Sequence, residues 1–363
     1  MRTTRVIFAG GFLGAGKTTL LWETAKRLME KGFNLGLITN DQATELVDSV
    51  LLSHTGFKVV EVSGSCFCCN FNGLIDAIQN VRAEVAADVI IAEPVGSCVD
   101  LSATIMQPLK QYWGRELQIS PLSVLADPAR LASILDGGVA GLHSDAAYIY
   151  RKQLEESDII VINKSDLLSP EALRDLERKT REAYPAAKII AMSALSGNGL
   201  EQWLDEVFLD NGAGQHLAEI DYDIYANGEA VLGWLNGAVR LKGQSTDWDS
   251  FTRNFLIDLS RRFDDKNYPV GHVKVISENG NQFITGNLTG KRDTLSLRGS
   301  AGKSDEIKFV VNARVETTPK ELNSIVEETL NESARNKCSV DIVAWNYLQQ
   351  GRPTPTHRFE HII

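Results

Sequence analysis

The run Gly11-Phe-Leu-Gly-Ala-Gly-Lys17-Thr18 leaves this chain few ways to begin folding. It fits the pattern G-x-x-x-x-G-K-[S/T] and stands between an apolar stretch, Val6-Ile-Phe-Ala, and an amphipathic one, Lys17 to Lys31. That context predicts a buried strand, a glycine-rich turn and the N-terminus of a helix. Around such a turn, Gly11, Gly14, Ala15, Gly16, Lys17, Thr18 and Thr19 can wrap phosphates with backbone N–H groups, aided by the field of the helix end. The Lys17 ammonium would reach the outer phosphates and the Thr18 hydroxyl would hold Mg²⁺.

Further short apolar runs follow: Leu35-Gly-Leu-Ile, Lys58-Val-Val-Glu-Val, Asp88-Val-Ile-Ile-Ala, Leu122-Ser-Val-Leu, Ile159-Ile-Val-Ile and Ile189-Ile-Ala-Met. They lack the alternation of half-exposed strands and read as buried strands of a mostly parallel sheet. Residues 17–31, 74–86 and 170–183 have helical periodicity between them, which predicts a doubly wound α/β domain over residues 1–212. With 363 residues the chain exceeds what one core organises. The polar stretch Asp210-Asn-Gly-Ala-Gly-Gln marks a boundary, with a smaller α+β domain at 213–350 and an irregular tail at 351–363. In that smaller domain, strands near 230–235, 270–277, 282–288, 307–315 and 339–345, with helices near 248–263 and 319–335, suit a ferredoxin-like sandwich with one extra strand.

A net charge of −10 argues against a surface that grips nucleic-acid phosphates. No apolar run approaches the roughly 18 residues of a membrane span. The apolar start runs into glycines and Lys17 without a small-residue cleavage site, so the expected location is cytoplasmic. Of five cysteines, three crowd into Cys66-Phe-Cys68-Cys69, which suits reduced thiols or a metal better than a disulfide framework.

Four further motifs carry chemistry. Asn163-Lys164-Ser165-Asp166 ends an apolar strand, where the Asp166 carboxylate can accept from the guanine N1–H and exocyclic amine; with Ser193-Ala194-Leu195 after the next strand, it favours GTP over ATP. Glu93-Pro-Val-Gly96 delivers an acid for Mg²⁺ or the attacking water, and a glycine N–H for the γ-phosphate. Asp41, after the second strand, is a candidate Mg²⁺-side or water-positioning residue, or else part of a plain turn. Cys66, Cys68 and Cys69 supply three soft ligands for Zn²⁺ and leave one position open, as transfer to a client would require. Cys98, two residues beyond Gly96, is placed to close that shell in one nucleotide state. Cys338 reads as packing, and His357 and His361 as solvated tail.

Together these residues resemble the CobW-type P-loop GTPases, relatives of the maturation factors UreG and HypB and of the mutase chaperone MeaB. The resemblance rests on Gly10 to Leu21, Cys66 to Cys69, Glu93 to Gly96 and Asn163 to Leu167, and covers residues 1 to about 200. It implies slow GTP hydrolysis with Mg²⁺, zinc or a related metal on the cysteine loop, and insertion of a metal or cofactor into a client metalloprotein or a cobalamin-dependent protein. It is also compatible with self-association. The chain departs from the pattern at Thr39-Asn-Asp-Gln, which looks more like UreG, and at Glu93-Pro94-Val95-Gly96, where CobW-like proteins have Glu-Thr-Thr-Gly. Two alternatives use the same residues: a GTPase chaperone for a corrinoid protein that carries no metal itself, and a GTP-switched interaction protein.

Overall fold

The structure, a computed structural model, describes residues 3–40, 47, 58–62, 64–209, 212–290 and 295–363. The first half alternates strand and helix. β1 (Thr4–Gly11), α1 (Lys17–Glu30), β2 (Leu35–Asn40), β3 (Lys58–Val62), α2 (Phe71–Val85) and β4 (Val89–Glu93) come first. A π-helical turn at Ser102–Met106 leads into α3 (Gln107–Trp113), then β5 (Leu117–Ile119), β6 (Ser123–Ala126), α4 (Pro128–Leu135) and α5 (Ser144–Glu155). β7 (Ile159–Ile162), α6 (Pro170–Ala183), β8 (Lys188–Ala191) and α7 (Leu200–Phe208) complete the unit.

These strands pair in the order β3-β2-β4-β1-β6-β7-β8, with β5 also on β1, and every pairing is parallel. Parallel strands need both faces covered, which is why their sequences are unbroken apolar runs. Phe71, Ile105 and Tyr150 pack on one face, and Leu20, Leu21 and Trp203 on the other. β1 sits where the strand order turns, with β4 on one side and β6 on the other, so the crevice for a ligand opens at its carboxyl end.

The second half holds α8 (Tyr222–Ala230), β9 (Gly233–Asp247), α9 (Trp248–Asp265), β10 (Val270–Asn279), β11 (Gln282–Leu288), β12 (Ser296–Ser300), β13 (Lys303–Val315), α10 (Pro319–Ala334) and β14 (Cys338–Gln349). Its sheet is antiparallel in the order β12-β11-β10-β13-β9-β14. Counting β9, β10, β13 and β14 as one to four, the order is 4-1-3-2 with a helix after the first and third: the split β-α-β arrangement, extended at one edge by β11 and β12. Val239, Val273, Val275, Phe309 and Val311 meet Phe255, Leu259, Ile325 and Val326 of the two covering helices.

Two segments depart from the sequence reading. Residues 222–230 form a helix that periodicity does not announce, because Asn227 and Gly228 interrupt it; the Asp221 side chain caps it by accepting from Asp223 N and Ile224 N. Ala213, Tyr225, Leu232 and Trp234 all join the core of the parallel-sheet unit, and the strand begins at Gly233 rather than at Ala230. The tail is irregular, yet it is not solvated along its length. Pro353 is buried, and the His357 ring packs edge-on against Phe71 at 5.0 Å and against Tyr112 at 5.7 Å. Among the described residues, no helix is long and apolar enough to cross a membrane.

Candidate functional site

β1 delivers the glycine-rich turn and α1 starts at Lys17. Gly16 has φ +98°, and a Cβ there would collide with the Asn163 amide, so two independent constraints require glycine. Asn163 donates to Ala15 O at 2.7 Å and accepts from Ala194 N at 2.9 Å, tying the turn to the loop after β8. The Lys17 ammonium donates to Gly11 O at 2.9 Å and lies 3.8 Å from Glu93 Oε1. The Thr18 hydroxyl donates to Glu93 at 3.2 and 3.3 Å. Lys17, Thr18 and Glu93 are each no more than 7% exposed. Gly96 closes the group: a Cβ there would lie 2.6 Å from Leu13 Cδ2 and 3.1 Å from Lys17 Nζ. A buried hydroxyl beside a carboxylate, at a helix N-terminus with an ammonium, is a donor set that fits Mg²⁺ and phosphate oxygens.

This corner opens into a cavity of about 1310 Å³ that also takes in Gly14, Thr19, Asp166, Ser193 and Leu195. Asp166 stands exposed on a 3₁₀ turn, Ser165–Leu167, that follows β7. Lys164, held in the left-handed region, pairs with Asp127 at 2.8 Å. Ser193 is buried and accepts from Ser196 N, while Leu195 is 66% exposed, so the side that would face a base is open. Asp41 lies outside the described residues.

The cysteine loop hangs from the end of β3 and runs into α2. Asn40, at the end of β2, organises it by donating to Val62 O and Ser65 O, each at 2.8 Å, and accepting from Phe67 N at 2.8 Å. An amide ending an apolar strand has to find buried partners, and that was the available signal for this residue. Cys66 Sγ lies 3.0 Å from Cys68 Sγ, which is 3.8 Å from Cys69 Sγ, and all three sulfurs lie within 4.8 Å of one another. Hydrogen bonds from Cys68, Cys69 and Cys98 hold the Cys66 thiol far below its ordinary range. The same contacts, burial and the Cys66 charge push Cys68 and Cys98 well up, and Cys69 up to about 11. Three clustered sulfurs just before a helix N-terminus, with the Cys66 thiol pulled down and its neighbours pushed up, make a site suited to a soft cation.

The segment between Glu93 and Cys98 links the two places, and side chains that carry no motif hold it. Gln153 Nε2 donates to Gly96 O at 3.0 Å and to Cys98 O at 2.7 Å. Glu229 of α8 accepts from Ser97 Oγ at 2.6 Å, and Tyr225 OH accepts from Val99 N at 3.4 Å. From the tail, Thr354 N donates to Cys69 Sγ at 3.3 Å and Thr356 N to Cys68 O at 2.8 Å. Arg358 Nε and Tyr222 OH both donate to Asp100 Oδ2, at 2.8 and 2.7 Å. His357 and His361 belong to no metal-binding cluster among the described residues, and Cys338 lies in the second sheet, half-buried.

The family model described as "CobW/HypB/UreG, nucleotide-binding domain" matches residues 5–191. The chain is 29% identical over 182 residues to "Zinc chaperone YeiR" of Escherichia coli, across 48% of this chain and 51% of that protein. It is 25% identical over 209 residues to "Zinc-regulated GTPase metalloprotein activator 1" of Dictyostelium discoideum, across 50% and 44%. It thus spans about half the length of these curated relatives. Among solved structures, the Zn(II)-bound YjiA GTPase from E. coli aligns with 91% of this chain and 99% of its own, at 15% identity and a TM-score of 0.39. The family match takes in more than half of the chain, from the phosphate turn through the cysteine loop to the turn bearing Asp166, and on it the chain belongs to the CobW/HypB/UreG family.

Proposed function

We propose that this chain is a GTP-hydrolysing metallochaperone that carries Zn²⁺ on Cys66, Cys68 and Cys69 and hands it to a client metalloprotein under control of the nucleotide. The observation that carries this reading is the shared segment: within six residues it bears Glu93 and Gly96 at the phosphate corner and Cys98 at the thiols. The names of the relatives, a zinc chaperone and a zinc-regulated GTPase, support it.

In this reading Lys17 and the turn's N–H groups bind the phosphates, and Asp166 with the loop at Ser193, Ala194 and Leu195 selects guanine. Mg²⁺, when bound, supplies charge neutralisation between the outer phosphates, with Thr18 and Glu93 as its protein ligands. Asp41 is proposed for the same side of the site. Gly96 lies so close to Lys17 that a Cβ on it would meet Nζ at 3.1 Å, so in this reading its position depends on what Lys17 holds. Release of the γ-phosphate lets Gly96 shift, and the shift carries Cys98 relative to Cys66. Cys98 completes a four-thiol shell in one state and leaves it at three in the other, the open state being the one a client can attack. Zinc binding displaces protons from thiols such as Cys68 and Cys69, which contact with Cys66 and burial push up. Turnover is slow without a stimulating partner.

The test is zinc affinity by anaerobic chelator competition, with GDP and with a non-hydrolysable GTP analogue. Wild type should show two affinities; the triple change Cys66, Cys68 and Cys69→Ser should lose both, and Cys98→Ser should keep binding but lose the difference. Absence of tight zinc in either state overturns the metal reading and turns the proposal to a GTPase that assists a cobalamin-dependent protein without carrying metal. An unchanged difference in Cys98→Ser removes Cys98 from the switch.

A further inference from the structure

β10 and the end of β11 in the second sheet run across the phosphate turn. A Cβ on Gly271 of β10 would lie 2.9 Å from Leu13 Cδ1, and one on Gly14 would lie 2.6 Å from Thr289 Cγ2, just past β11. Arg130 of α4 latches the contact by donating to Leu13 O at 3.2 Å, Val270 O at 3.1 Å and Gly271 O at 3.3 Å. Farther out, Arg298 of β12 pairs with Glu23 at 3.0 Å and lies over the Trp22 ring. The cavity described above is therefore walled on one side by Gly14, Lys17 and Thr18 and on the other by His272, Lys274 and Thr289.

Within that wall, Lys274 Nζ donates to Thr18 Oγ1 at 3.2 Å. Thr18 is the hydroxyl that also faces Glu93, so an ammonium carried on β10, 256 residues away in sequence, reaches the cation side of the phosphate corner. His272, two residues earlier on the same strand, lines the cavity with a buried Nδ1 that has no hydrogen-bond partner among the described residues. An orphaned ring nitrogen and a lysine, aimed from the same strand into a cavity floored by a phosphate turn, point to a polar, anionic occupant there.

We propose that the second domain completes the nucleotide site, with Lys274 bonding the γ-phosphate of GTP and so distinguishing GTP from GDP. The inference rests on the reading that the turn at Gly11 to Thr18 holds GTP. With a divalent ion on Thr18, that hydroxyl no longer accepts from Lys274, and the ammonium, on the cavity wall that faces the phosphate turn, is placed to bond a terminal phosphate oxygen. GDP lacks that group and leaves Lys274 on the protein. The second domain is thereby drawn to the phosphate turn in the GTP state, and its hold relaxes after hydrolysis.

The test compares Lys274→Ala, Lys274→Arg and Lys17→Ala with wild type by titrating fluorescent GDP and a fluorescent non-hydrolysable GTP analogue. Lys274→Ala should weaken the GTP analogue about tenfold or more, the size of one charge-assisted hydrogen bond, and leave GDP within about twofold. Lys274→Arg should recover part of the loss. Equal affinities of wild type and Lys274→Ala for the GTP analogue, or an equal loss for both nucleotides, overturn the inference. The reading of the turn is judged separately: it fails if wild type binds neither nucleotide or if Lys17→Ala binds both as wild type does.

Discussion

Replacing Glu229 with glutamine tests how firmly α8 is built into the segment that joins the two sites. Glu229 is 4% exposed and accepts from Ser97 Oγ. Burial, with a smaller contribution from the Cys66 charge, pushes its carboxyl from an ordinary 4.5 up to about 8, against the pull of the Ser97 hydrogen bond. Between those values the folded chain keeps a proton that the unfolded chain has lost, so unfolding releases a proton and stability falls as pH rises. At about 1.4 kcal/mol for each tenfold change in ionisation, the gap is worth on the order of 5 kcal/mol, roughly 3 of it already lost at pH 7. Glutamine keeps the oxygen that Ser97 needs and is neutral throughout. Its advantage over glutamate should therefore be about 1 kcal/mol or less at pH 5, roughly 3 kcal/mol at pH 7, and larger near pH 8.5. Urea unfolding of both proteins with chelator present, so that zinc does not bias the folded state, reads this difference. Other buried acids, such as Glu156, cancel because both proteins carry them. Parallel stability curves would refute the reasoning: the carboxyl would then be reached by water and titrate as an ordinary one.

Asp166→Ala should cost guanine selectivity of about ten- to a hundredfold in the ratio of GTP to ATP affinity, the scale of hydrogen bonds to a charged group; an unchanged ratio removes Asp166 from the base site. Gly36→Ala should destabilise the chain by about 1–3 kcal/mol in thermal or urea unfolding, because a Cβ on β2 would drive into Val81 of α2 in a filled core; a neutral result would show that the helix can yield. Deleting residues 353–363 removes the N–H donated to Cys69 Sγ and uncovers Phe71 and Tyr112, so Cys69 should react faster with a thiol reagent and zinc should bind more weakly; unchanged labelling would show that the tail does not cover the loop.

What the sequence could disclose depended on how local each signal was. The phosphate turn, the apolar strands and the Asn163 motif report short-range geometry, and all three stand at one edge of the parallel sheet. Asn163 nevertheless spends its amide joining Ala15 to Ala194, a bond that spacing cannot display. On β10, His272 and Lys274 alternate with Val273 and Val275, which reads as a strand with one wet face; the fold turns that face onto the phosphate turn. Nothing local marks Gln153 or Glu229, whose partners lie 55 and 132 residues away. The tail misled for a related reason: prolines and a polar composition do exclude regular structure, but they do not exclude docking, and the backbone of Thr354 and Thr356 finds the thiol loop.

The register of the sheet limits how a change at the phosphates can reach the thiols. Thr39 of β2 pairs with Glu93 of β4, and Asn40, the next residue, pairs with Val62 of β3 and clamps the cysteine loop. The end that bears the Glu93 carboxylate and the clamp on the thiols are thus neighbours in one buried, fully bonded sheet. Such a sheet has no second packing to move into. Residues 94–98 leave it, and apart from the bond of Cys98 N to Val95 O they are held by side chains on α5 and α8 rather than by the strand ladder. In the proposed function, a nucleotide signal would therefore bypass the strands and travel by Gly96, Ser97 and Cys98. A side chain at Gly96 would jam that route by pressing on Lys17 and Leu13, and Gly96→Ala should leave zinc affinity the same with GDP as with the GTP analogue while the cysteine loop keeps its metal.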